Sequence, residues 1–137
     1  MEHEVGSCLF DSSVWVGLFL DDDTNHENSA AVFDALPRTV YVPYIVVVEV
    51  ATILTYKHSK QQADNFLRYI SEDERFSKID NRYSKDISAF LKQRERLSFA
   101  DVAIIETALY YDVALVTFDK QMKKLYERLA SSGNGRD

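Results

Sequence analysis

Short apolar runs alternate with amphipathic stretches along this chain. Residues 7–10 form a brief apolar run that ends at Asp11, as a buried strand does. Val14, Trp15, Leu18 and Phe19 then recur at i, i+1, i+4 and i+5, one face of a helix, with Ser12 or Ser13 placed to cap it. Asp21, Asp22 and Asp23 interrupt that pattern. Thr24 and Glu27 have capping-box spacing, and Ala30, Ala31, Val32 and Leu36 predict a second helix up to Pro37. Residues 39–42 alternate like a strand. Residues 44–58 are rich in β-branched side chains, but the length of the run predicts a buried helix.

The second half continues the alternation. A helix is predicted over 60–71, with Ala63, Phe66, Leu67 and Ile70 on its apolar face, and a short strand over 76–79. Residues 83–96 are amphipathic through Ile87, Phe90 and Leu91. Ser98 caps a helix to about residue 111, followed by a strand over 113–118 and a closing helix over 120–129. Residues 131–137 form a polar tail expected to be disordered. Strands alternating with helices predict an α/β fold with a central, mostly parallel sheet of four to five short strands flanked by helices.

Composition narrows the picture. With 137 residues and 46% hydrophobic content, one globular domain over 1–130 is expected. The net charge of −6 argues against a broad basic nucleic-acid footprint. It leaves room for an enzyme that meets phosphate through metal ions, whose charge the sequence count omits. The single cysteine, Cys8, excludes an intramolecular disulfide and a thiolate metal cluster, and favours a reducing compartment. Residues 1–6 lack the basic and apolar regions of a signal peptide, and no run reaches the ~20 apolar residues of a membrane span. A cytoplasmic location without membrane attachment is expected.

The informative polar positions are Asp11, Glu49, Asp101 and Asp119. Each is attached to an apolar segment, and carboxylates are seldom buried unless paired or bound to a metal. In a parallel sheet the ligand crevice lies beyond the carboxyl ends of the strands, where Asp11 and Asp119 fall. Four such acids suggest one shared cation site. Oxygen ligands select hard cations such as Mg²⁺ or Mn²⁺, and a cation among acids suits phosphodiester chemistry.

Simpler roles compete at each position. Asp11 and Asp119 could cap helices, and Asp101 sits three residues after Ser98 in a capping arrangement. Glu49 could pair with a buried Arg or Lys. The run Asp21, Asp22 and Asp23 reads as a solvated loop, and Glu106 as a surface side chain. His3, His26 and His58 show no ligand spacing and no serine or cysteine partner. Cys8 reads as a small buried apolar residue. Four glycines form no phosphate loop. Lys57, Lys60, Arg68, Arg94, Arg96, Lys120, Lys123 and Lys124 could meet a nucleic-acid strand; most read as solvated helix faces, whereas Lys120, Lys123 and Lys124 follow Asp119 and could flank the crevice.

The segments Phe10 to Trp15, Val48 to Ala51, Leu97 to Ala108 and Leu115 to Met122 together resemble a PIN domain, and more narrowly the VapC-type toxins of toxin–antitoxin pairs. The resemblance spans about residues 9–129. It implies a PIN-like three-layer fold whose acidic quartet, Asp11, Glu49, Asp101 and Asp119, binds Mg²⁺ or Mn²⁺ and cleaves RNA. Asp11, Asp101 and Asp119 would be the main ligands. Glu49 would bind a second metal, or position or deprotonate the attacking water. Ser13 and Thr117 match accessory hydroxyl positions of the family. The implied partners are an RNA substrate, a cognate antitoxin and a second copy in a homodimer. The tail supplies no convincing last strand, which departs from the family pattern. Competing functions are a catalytically silent RNA- or protein-binding module, and a phosphotransferase resembling a receiver domain. The latter lacks an acceptor Asp after a mid-chain strand.

Overall fold

The computed structural model describes residues 6–35, 39–80 and 82–133. Its elements are β1 (Ser7–Phe10), α1 (Ser12–Phe19), α2 (His26–Asp34), β2 (Thr39–Pro43), α3 (Tyr44–Lys57), α4 (Lys60–Glu72), β3 (Phe76–Ile79), α5 (Tyr83–Lys92), α6 (Phe99–Tyr111), β4 (Ala114–Val116) and α7 (Lys120–Ser131). The four strands form one parallel sheet in the order β3-β2-β1-β4. Leu9 of β1 lies opposite Tyr41 on one side and Leu115 on the other. Among the described residues no fifth strand follows α7.

Every residue of β1 is buried. A strand buried on both faces needs helices on both sides, which is the arrangement a parallel sheet requires. Trp15 anchors α1 to the layer beneath it. Its ring packs edge-on against Phe10, Phe66 and Phe76 at 5.8, 5.3 and 5.3 Å. Such pairs contribute beyond the area they bury. α3 is held the same way. Val46, Val50 and Leu54, spaced four apart, are fully buried. That burial overrides the weak helix propensity of β-branched residues.

Several boundaries differ from the periodicity. α1 is capped by Asp11, not by Ser12 or Ser13. The Thr24 capping box is not formed. Asp23 instead accepts a hydrogen bond from the Asn25 amide at 2.8 Å, and α2 starts after Asn25. α2 ends at Asp34, and Leu36 and Pro37 lie outside the described residues. α5 stops at Lys92, because Gln93 Oε1 accepts from the amides of Arg94 and Glu95 and turns the chain. α7 runs to Ser131, into the predicted tail, and residues 134–137 lie outside the described residues. β4 is shorter than its apolar run, since Thr117 and Phe118 leave the ladder to serve the site described next.

Candidate functional site

Asp11 directly follows β1, and its amide still donates to the Val116 carbonyl at 3.1 Å. Its side chain then turns back onto the first turn of α1. Oδ1 accepts from the Ser13 amide at 3.1 Å and the Ser13 hydroxyl at 2.6 Å. Oδ2 accepts from the Thr117 hydroxyl at 2.6 Å. Asp11 is only 4% exposed. Burial pushes its carboxyl above the usual range, while the hydrogen bonds from Ser13, Thr117 and Val14 oppose that rise.

The two accessory hydroxyls lace neighbouring loops together. Thr117 Oγ1 donates to Asp11 and accepts from the Asp119 amide at 3.0 Å. Ser13 Oγ donates to Asp11 and accepts from the Phe118 amide at 3.3 Å. The turn after β4 is therefore tied to the turn after β1. Asp119 caps α7, its Oδ1 accepting from the amides of Gln121 and Met122 at 2.9 and 3.1 Å.

The other two acids come from helices. Glu49 lies on α3, and its Oε1 accepts a hydrogen bond from the Ser12 hydroxyl. Asp101 lies in the first turn of α6, where the Ser98 side chain accepts from the Asp101 amide at 3.0 Å. Capping thus explains the positions of Asp11, Asp101 and Asp119 without using up their carboxylates. Glu49 meets a serine hydroxyl where the sequence also allowed a buried Arg or Lys.

Asp11, Glu49, Asp101 and Asp119 line one cleft of about 300 Å³. Burial raises the Asp101 carboxyl above its usual range. The Ser98 hydrogen bond opposes the rise, and the charges of Glu49, Asp119 and Asp11 reinforce it. The charges of the other three acids therefore reach Asp101. Among the described residues no three potential metal-ligating side chains are already drawn into a tight cluster. The donor set is entirely oxygen, which fits Mg²⁺ or Mn²⁺.

The cleft also contains residues beyond the four acids. Ser12 reaches Glu49 across 37 residues of chain, a pairing visible only in three dimensions. Asn25 and Lys57 line the cleft as well. Asp23 does too, although its run reads as a solvated loop; Asp21 and Asp22 are exposed. Lys120, Lys123 and Lys124 are exposed and do not contribute to this lining. Glu106 borders a separate pocket. His26 Nδ1 bonds to the Gly17 carbonyl oxygen at 2.8 Å, and His58 Nδ1 to Ser59 Oγ at 2.9 Å, so both are held structurally. His3 lies outside the described residues. Cys8 is buried, and burial pushes its thiol up to about 12, which makes it inert at neutral pH.

The sequence matches the PIN domain family over residues 8–128, a span that contains all four acids. Mycobacterium tuberculosis VapC20, described as a Sarcin-Ricin loop cleaving toxin, superposes with a TM-score of 0.78 at 16% identity, over 86% of this chain and 94% of that one. A toxin–antitoxin complex from Klebsiella pneumoniae superposes with a TM-score of 0.61 at 20% identity, over 83% and 88% of the two chains. VapBC2 from Rickettsia felis, bound to a DNA fragment from its promoter, gives 0.62 at 16% identity, over 86% and 92%. At these identities the likeness is one of fold. No curated protein sequence is a significant match.

Proposed function

The chain belongs to the PIN domain family, and from that premise we propose that it is a Mg²⁺- or Mn²⁺-dependent endoribonuclease, the toxin of a toxin–antitoxin pair. The observation that carries this reading is the convergence of Asp11, Glu49, Asp101 and Asp119 on one cleft, close enough for the charges of three to reinforce the rise that burial gives Asp101. Asp11, Asp101 and Asp119 are the residues that would hold the cation. When bound, it makes a water acidic enough to attack near neutral pH and offsets charge on the scissile phosphate.

The chain's own residues supply positioning and proton handling. Ser13 and Thr117 fix both oxygens of Asp11, so its carboxylate cannot swing away. Ser12 engages Oε1 of Glu49 and leaves the other oxygen to take a proton from the attacking water. Asp119 uses Oδ1 for its helix cap and keeps Oδ2 for the cleft. Water attacks phosphorus directly, with no covalent protein intermediate; the bond to the leaving ribose oxygen breaks, and that oxygen takes up a proton from solvent.

Two protein partners belong to this reading. The Klebsiella relative in fold is a toxin–antitoxin complex, which supports an antitoxin for this chain. An inserted Arg or Lys would substitute for the cation's charge among the carboxylates. A second copy is assigned to the exposed apolar face of α5 and the start of α6. There Tyr83 and Phe99 line an apolar pocket with Ile45, and Phe90 meets Phe99 edge-on at 5.4 Å. Among the described residues no helix is long and apolar enough to cross a membrane, and the site of action in this reading is the cytoplasm.

The test is cleavage of total RNA by purified, antitoxin-free protein with Mg²⁺ or Mn²⁺ and with EDTA, beside Asp11→Asn. Metal-dependent fragments that the variant does not produce are expected. Folded wild-type protein that cleaves nothing would favour the silent binding module.

A further inference from the structure

The cleft poses an electrostatic problem for the substrate just proposed. Asp11, Asp23, Glu49, Asp101 and Asp119 all border it, on a chain of net charge −6. A polyanion is repelled by such a surface unless cations meet it. Lys57 is the cationic side chain of the cleft lining.

Its placement is ordered by α3. Glu49, Ile53 and Lys57 are spaced four apart, so they share one face of the helix, and all three line the cleft. Lys57 lies ~12 Å beyond Glu49 along the axis. Its Cα–Cβ bond tilts toward the helix N-terminus, so the long stem leads back toward the acids. A position in the last turn of α3 also suits the helix dipole, which accounts for a cation there. The dipole does not account for a place in the cleft wall. Among the described residues, the Lys57 ammonium makes no ion pair with the cleft carboxylates. It is therefore free to take an outside anion. Lys60 of the next helix, by contrast, is paired with Asp64 at 2.7 Å.

We propose that Lys57 is a positioning residue for the nucleic-acid strand, gripping a phosphate beside the scissile one so that the strand runs along α3 from the four acids toward the helix C-terminus. This rests on the nuclease reading of the same cleft. A phosphate contact of this kind gives affinity and register, and reads no base.

The experiment compares wild type, Lys57→Gln and Lys57→Arg. Binding of a short, fluorescently labelled, mixed-sequence single-stranded RNA is followed by anisotropy across a salt series, with EDTA present so that nothing is cleaved. Steady-state cleavage is then measured with metal. For Lys57→Gln, KM should rise about tenfold with kcat within about twofold of wild type, as loss of uniform binding requires. The slope of log affinity against log salt should become shallower by about 0.7, the value for one phosphate on a single strand. Lys57→Arg should restore both, and the thermal midpoint should not move. Wild-type KM and salt slope in Lys57→Gln would overturn the proposal, as would a fall in kcat at unchanged KM. Wild-type protein that neither binds nor cleaves RNA overturns the nuclease reading and this one together. Wild-type protein that does both while Lys57→Gln matches it overturns this one alone.

Discussion

At the scale of single residues, Thr117 illustrates how much one hydroxyl holds. It donates to Asp11 and accepts from the Asp119 amide, so it touches two of the four acids' segments at once. Thr117→Val keeps the shape and removes both hydrogen bonds, leaving a buried carboxylate oxygen without its donor. A loss of about 1–3 kcal/mol in urea unfolding is expected, with activity reduced by about ten- to a hundredfold, as for groups that orient metal ligands. Asp101 is the opposite case. Burial and three like charges destabilise its ionised form. Asp101→Asn should therefore raise the melting temperature of metal-free protein while cleavage falls by more than about a hundredfold, beyond the cost of a merely supporting group. A lower melting temperature in calorimetry would mean that the repulsion is outweighed by the acid's favourable place in the first turn of α6.

At the scale of elements, α1 and α2 meet at Gly17. A methyl group there would sit 2.3 Å from the Ser29 hydroxyl oxygen and 3.2 Å from the Asn25 carbonyl oxygen. Ser29 cannot yield freely, because it is buried and donates to the Val14 carbonyl at 2.9 Å. Gly17→Ala should cost about 1–3 kcal/mol in chemical denaturation, and it should disturb the edge of the cleft formed by Asp23 and Asn25. The elements themselves were legible from periodicity. Val46, Val50 and Leu54 identify α3 as a buried helix despite its β-branched content, and β3 stands where its apolar run places it. Boundaries were less legible wherever a side chain captures the backbone locally, as Gln93 does after α5 and Asp23 does before α2. The four acids could be picked out because each interrupts an apolar segment. Ser12 and Asn25 interrupt nothing, Lys57 reads as one of several surface cations, and only the folded helices bring all three to the same cleft.

At the scale of the whole molecule, the chain exposes Tyr83, Ile87, Leu91 and Phe99 while burying nearly every large side chain around the sheet. If a second copy covers that face, Phe99→Asp should convert a dimer to a monomer in light scattering without unfolding it. A wild-type monomer at the same concentration would leave the face to another partner. The central claim is narrower: four carboxylates from β1, α3, α6 and the turn before α7 form a single metal-dependent ribonuclease site. It is tested most directly by measuring Mn²⁺ binding by calorimetry and RNA cleavage on the same preparations of wild type, Asp11→Asn, Glu49→Gln, Asp101→Asn and Asp119→Asn. Wild type should bind the ion and cleave, and Asp11→Asn, Asp101→Asn and Asp119→Asn should lose both together. Glu49→Gln should lose cleavage whether or not it retains an ion. RNA cleavage that persists in EDTA, or that survives Asp11→Asn at the wild-type rate, would contradict the claim.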